Sequence, residues 1–292
     1  MGATGAARAA RRNPAVERYY DETWADYRYL WLSRRNLAFH FGYYDDPGVR
    51  RHAEALQNTN RQLARRAAIR PGARVLDAGC GAGGSSLWLA RHAGATAVGI
   101  TLVRGQVAIA RKMAAGYESD GRALFLQADY TSVPFRAATF DAVWALESLC
   151  HAADKPAFYR EAARVLRPGG RLVVAEYMRA SRPLGAGGER LVRTWLDGWA
   201  IPDLDTPAEH RGHSLRAGLA EAEVEDYTAR VRPSLRRLFR IARVSYPFAL
   251  TARVLGLRSA VQHGNVTAAI RQYEALEQGH WVYGILTAMK PS

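Results

Sequence analysis

Hydrophobic and polar positions change period along this chain in a regular way. Between about residues 73 and 177, short apolar runs alternate with segments whose apolar positions recur at helical spacing. The runs predict strands over 73–78, 96–100, 123–127, 140–145 and 171–177, and the helical spacing predicts helices over 84–92, 104–116 and 155–166. Strands and helices in alternation predict an α/β fold with a doubly wound sheet. Upstream, 53–69 has helical spacing and ends at Pro71-Gly72, a stop signal. The stretch before it, 16–46, is dense in Tyr, Trp, Phe and His. Beyond Met178 the pattern changes to a loop (SRPLGAGG), a polar segment carrying Trp195 and Trp199, and a helix over 207–221. A strand over 224–231, an amphipathic helical stretch over 233–276 and a β-rich closing segment follow. These signals divide the chain into a flexible tail (1–15), an N-terminal helical lid (16–70), a Rossmann-like core (71–180) and a substrate cap (181–292). The cap is expected to return closing strands to the core sheet.

Composition narrows the class. An apolar fraction of 48% with 10% aromatics belongs to a globular chain. No apolar run reaches the length of a membrane span, so no stable membrane insertion is expected. The N-terminus lacks a secretory apolar stretch, and its Met-Gly lacks the hydroxyl residue of a myristoylation signal. Cys80 and Cys150 suggest neither a metal cluster nor a disulfide framework, so the cytoplasm is the default compartment. Lys and Arg outnumber Asp and Glu by 41 to 27, a net charge of +14. Such a balance suits nucleic acid, an anionic membrane surface or an acidic substrate. The arginines are scattered without the density of a nucleic-acid arm, so nucleic acid is not the expected partner. Solvated surface and an anionic small substrate remain, and an oligomer stays open.

The most informative stretch is VLDAGCGAGGSSLWLA, Val75 to Ala90. It reads as a buried strand, an acidic residue at the strand end (Asp77), a glycine-dense turn and a helix. Glycines let the backbone adopt positive φ and approach a ligand, and the helix points its free N–H groups at whatever sits there. Gly79, Gly81 and Gly84 match a dinucleotide fingerprint, which also expects a carboxylate about 20 residues on. The next strand instead runs into Thr101 and Leu102. D-x-G-x-G-x-G with the aspartate ahead of the glycines resembles motif I of the class I S-adenosylmethionine (SAM) methyltransferases. LFLQADYTSVPF, FDAVWALESLCHAADK and LRPGGRLVVAEYM follow in the order that family needs, so NAD is set aside for SAM.

Three further features resemble the sterol, γ-tocopherol and prenyl diphosphate methyltransferases. They are HFGYYDD (40–46), VGITLVRGQ with Thr101 in place of an acidic residue, and the helical insertion before a last strand with a Lys-Pro ending. The resemblance implies a SAM site built from Asp77, Gly79, Gly81, Gly83, Thr101, Gln106, Asp129 and Tyr130. It also implies C-methylation of an isoprenoid-type substrate in specialised metabolism. The O- or N-methylation of a small natural product and a methyltransferase-like cyclase are the alternatives.

Glu147-Ser148-Leu149-Cys150-His151 follows an apolar strand, where the reacting atom belongs. In the resembled group a glutamate here faces substrate. Methyl transfer to an alkene leaves a carbocation that the Glu147 carboxylate would stabilise and deprotonate, with His151 as helper or alternative base. If the acceptor is a hydroxyl, His151 becomes the base. Tyr20, Trp24, His40 and Tyr43, among other aromatics of the lid, either pack it onto the core or line an apolar tunnel. Arg34, Arg35, Arg50 and Arg51 are either surface charge or a diphosphate clamp. A diphosphate substrate would bring Mg²⁺ on its own oxygens; the sequence has no dedicated metal site.

Overall fold

The computed structural model describes residues 13–31, 38–45, 49, 51–116 and 121–292. The helices are α1 (Pro14–Asp26), α2 (His52–Arg66), α3 (Gly84–Ala93), α4 (Arg104–Ala115), α5 (Lys155–Val165), α6 (Ala186–Gly198), α7 (Pro207–Arg216), α8 (Thr228–Val254) and α9 (Ala260–Glu277). The strands are β1 (Arg74–Ala78), β2 (Thr96–Thr101), β3 (Arg122–Gln127), β4 (Phe140–Leu146), β5 (Leu166–Arg179), β6 (Ala220–Asp226) and β7 (Trp281–Met289). They form one sheet in the order β3-β2-β1-β4-β5-β7-β6. β1 to β5 pair in parallel, and β7 runs antiparallel between β5 and β6.

Alternation along each strand splits its side chains between two cores. Val75, Trp144 and Val173 face one that includes α6 and α9; Leu76, Val143 and Leu172 face one that includes Phe158 and Tyr159 of α5. Burial on both faces is why these strands read as continuous apolar runs. The order reverses between β1 and β4, which opens a crevice at their carboxyl ends. Val16 and Tyr20 of α1, with Phe39 beyond it, wall the space at that crevice. Asn13 caps α1, Pro14 opens it, and a π-turn (Tyr27–Trp31) extends it. The far end of the chain holds the lid in place. Tyr19 Oη donates to Asn265 Oδ1 (2.8 Å), and Arg258 grips both oxygens of Asp26 (2.9 and 2.7 Å).

Two expected elements sit elsewhere. The strand expected over 224–231 is Ala220–Asp226, because Asp226 Oδ1 accepts from Thr228 N and starts α8 there. The stretch 233–276 is not one helix but two. Gly256 turns at φ 73° and Ser259 opens α9 with a reciprocal capping box to Gln262. The helix over 207–221 stops at Arg216, ahead of Gly218 at φ 85°. No helix among the described residues is long and apolar enough to cross a membrane.

Candidate active site

The loops after β1 and β4 touch. A Cβ on Gly79 would lie 2.3 Å from that of Ser148, and Gly79 has φ 89°, so only glycine lets the two loops close up. Ser148 Oγ fixes the contact by donating to Ala78 O (2.6 Å), while Gly79 N and Cys80 N both donate to Ile100 O (2.9 Å each). Asp77 is buried beside this turn and accepts from Ser86 Oγ (2.5 Å); burial pushes its carboxyl up to about 6. At the end of β2, Thr101 Oγ1 donates to Gln106 Oε1 (2.8 Å), which leaves the Gln106 amide N–H₂ as donor.

These groups wall a cavity of about 720 Å³ that also includes Tyr130 and His40. Its donor set suits SAM: a buried carboxylate at the β1 end, a close-approach glycine turn and an amide where β2 ends. His40 is buried, its Nδ1 is 3.0 Å from Phe41 O, and its other ring nitrogen has no partner among the described residues. Burial lowers it to about 4, so it is neutral.

Several expected contacts point elsewhere. A Cβ on Gly83 would meet Phe125 and Ala110 at 2.8–2.9 Å, so this glycine lets α3 pack against the sheet. Asp129 Oδ1 is engaged by the backbone and hydroxyl of Thr131 (2.8 and 2.7 Å), a turn it caps itself. Trp24 packs on Phe39 (6.2 Å) and Tyr43 on Tyr227 (5.3 Å). Arg34, Arg35 and Arg50 lie outside the described residues, and Arg51 is exposed.

A second cavity, of about 870 Å³, lies under the lid. Its walls are aromatic and aliphatic, with Tyr27, Trp31, Phe41, Tyr177, Trp199 and Ile241 prominent, and no Lys or Arg among the described residues lines it. Tyr20, Phe39, Glu147 and His151 belong to both cavities and mark their seam.

Glu147 lies just past β4 in a left-handed conformation (φ 51°), a strained geometry for a side-chain-bearing residue. Three donors hold its carboxylate: Phe41 N (2.7 Å) and Tyr283 Oη (2.8 Å) on Oε1, and Tyr177 Oη (2.6 Å) on Oε2. Removal from bulk water outweighs them and pushes the carboxyl up to about 8. Glu176 lies beneath, bonded to Cys150 N and Tyr177 N (2.8 and 2.9 Å) and raised by burial to about 7.

His151 sits on the short 3₁₀ turn Leu149–His151. Its Nδ1 faces Ala200 O (3.3 Å), which can only accept, so the proton resides on Nδ1 and Nε2 carries the lone pair. Tyr20 Oη lies 3.1 Å from Nε2. Burial lowers His151 to about 4 and keeps it neutral at physiological pH. Sequence reading had singled out Glu147 and His151 but not the groups that orient them. Tyr177, Tyr283 and Ala200 lie 30 to 136 residues from their partners, and local pattern carries no trace of that pairing.

Comparison with known proteins agrees with this architecture. Residues 76–174 match the family model described as a methyltransferase domain. The chain is 34% identical over 259 residues to 27-O-demethylrifamycin SV methyltransferase of Amycolatopsis mediterranei (strain S699), covering 86% of this chain and 89% of that one. It is 30% identical over 300 residues to chloroplastic tocopherol O-methyltransferase of Arabidopsis thaliana, covering 94% and 82%. Among solved structures, the [4+2]-cyclase SpnF superposes with a TM-score of 0.77 at 26% identity over 97% of each chain. With the seven-stranded order above and the crevice at its switch point, the chain belongs to the class I SAM-dependent methyltransferases.

Proposed function

We propose that this enzyme transfers the methyl group of SAM to a hydroxyl oxygen of a bulky, mainly apolar, uncharged natural product, with His151 as general base. The observation that carries this reading is the lone pair of His151 Nε2 on the seam between the two cavities, with its tautomer set by Ala200 O. When bound, SAM supplies an electrophilic methyl whose bond to sulfur breaks as the bond to the acceptor oxygen forms. Asp77, Gly79, Gly81, Thr101 and Gln106 would hold it, with Tyr130 on the cavity wall. The acceptor hydroxyl replaces Tyr20 Oη at Nε2 and passes its proton to the ring. His151 is then a cation, a state its low pKa disfavours until the proton leaves to solvent. Glu147, with three donors on its two oxygens, fixes the floor beneath the acceptor. The lid excludes water. The names of the two relatives above, a 27-O-demethylrifamycin SV methyltransferase and a tocopherol O-methyltransferase, support the same reading.

C-methylation of an isoprenoid through a carbocation is the second reading. The aromatic faces around the seam and the nearby Glu147 favour it. A diphosphate form of that substrate would carry Mg²⁺ on its own oxygens and would need cations from outside the described wall, where Arg34, Arg35 and Arg50 are the candidates.

Mass spectrometry of reactions with SAM tests the choice. The acceptors are hydroxylated macrocycles, phenols and prenyl diphosphates, the last with and without Mg²⁺. A methyl located on oxygen, lost in His151→Ala and retained in Glu147→Gln, is the expected result. A methyl on carbon that needs Glu147 overturns it in favour of the second reading. Rearranged product of unchanged mass in every reaction would instead assign a cyclase.

A further inference from the structure

α8 exposes an unusual surface. Arg237, Arg240, Val244, Phe248, Thr251 and Leu255 follow one another at three- or four-residue spacing and are all exposed, so they form one stripe. Its first part is basic and its second apolar. Val244 is 72% and Phe248 74% exposed, and Val254, Leu255 and Leu257 continue the apolar end at 66–78%. Arg236 and Arg243 flank the stripe, both exposed. Single exposed apolar residues are ordinary, but six large ones within fourteen positions, Leu250 included, are a concentration that marks an interaction surface. The same helix turns Leu238, Ile241, Ala242 and Ser245 into the acceptor cavity.

We propose that α8 rests on an anionic lipid surface. Phe248, Val244, Val254, Leu255 and Leu257 enter the headgroup–acyl boundary, and Arg236, Arg237, Arg240 and Arg243 lie over lipid phosphates. Charge decides for lipid over another protein face. The apolar patch is bordered by guanidiniums whose long stems reach sideways to phosphate, and the whole chain carries +14. The apolar wall of the acceptor cavity then lies one helix away from the bilayer, on the route an apolar acceptor takes out of it.

Flotation of the full-length enzyme with phosphatidylglycerol–phosphatidylcholine vesicles, and with phosphatidylcholine alone, tests the proposal. The wild type is expected to float with the mixed vesicles and to be released by high salt. Arg240→Glu/Arg243→Glu should lower partitioning at least about tenfold, and Phe248→Ser/Leu255→Ser by a similar factor on either vesicle. Circular dichroism and SAM binding report whether each variant is folded. If the serine variant fails that check, the arginine variant and the salt series decide alone. A wild type that stays with the soluble fraction overturns the proposal, as does flotation unaffected by either pair. A wild-type dimer that Phe248→Ser/Leu255→Ser dissociates, without vesicle binding, assigns the face to a second copy of this chain instead.

Discussion

Tyr177 of β5 and Tyr283 of β7 are direct cross-strand partners, and both hydroxyls donate to the carboxylate of Glu147. The register of one antiparallel strand pair thus sets the position of a side chain that belongs to neither strand. A shift of β7 by one residue would turn Tyr283 to the opposite face. Tyr177→Phe, which takes the donor from Glu147 Oε2, should cost about 1–3 kcal/mol, and Tyr283→Phe only about 0.5–1.5 kcal/mol because Phe41 N still donates to Oε1. Denaturant melts check this, and calorimetric SAM affinity should stay close to wild type because neither tyrosine lines the cofactor cavity.

Removal of the base is a kinetic test. His151→Ala should lower turnover at saturating SAM by about 10²–10⁴. The sign of the pH dependence follows from its lowered value of about 4: His151 is active when deprotonated, so kcat/KM should hold its plateau well below the ordinary histidine midpoint. A profile falling away at the ordinary value of 6.5 and unchanged in shape in His151→Ala would show that His151 is not the titrating base.

Stability should pass through an optimum with pH. His40, His52 and His151 at about 4, and His210 at about 3, are kept neutral by burial, so their contribution is present above 6.5 and lost as pH falls below it. Asp77 at about 6, Glu176 at about 7 and Glu147 at about 8 are raised carboxyls. Their contribution is full below the ordinary carboxylate values and lost as pH rises through those folded values. Between 6.5 and 8 the two glutamates dominate among these groups, so thermal midpoints should decline across that window. The decline should be shallower in Glu147→Gln.

Gly79→Ala forces a Cβ to within 2.3 Å of that of Ser148 at a positive φ. The loops after β1 and β4 must separate, which opens the floor of the cofactor cavity. Loss of measurable SAM binding and a lower thermal midpoint are expected, whereas Gly72→Ala, with open space around it, should cost only the backbone strain of its φ of 83°.

The parallel strands were legible because burial on both faces leaves continuous apolar runs, and the glycine turn because its spacing is dictated by close approach. β6 was misplaced because it is an edge strand in which only Ala222 is buried, so AEAEVED carries no apolar run. Glu147 and His151 stand out in the sequence because they follow the apolar run of β4. What orients them does not: Phe41, Tyr177, Ala200 and Tyr283 reach the site from four separate segments, and only packing brings them together. A carboxylate past a strand end suits either a ligand contact or a turn cap, and Asp129 Oδ1 makes the second, to the backbone and hydroxyl of Thr131.

Tyr20 and Phe39, which wall both cavities, come from the segment that precedes the sheet, and α1 is fastened by residues near the other end of the chain, Arg258 and Asn265. Any loosening of α1 from Arg258 and Asn265 would therefore widen both cavities at once, so the four contacts among Tyr19, Asp26, Arg258 and Asn265 couple the space around the cofactor to the space beside it.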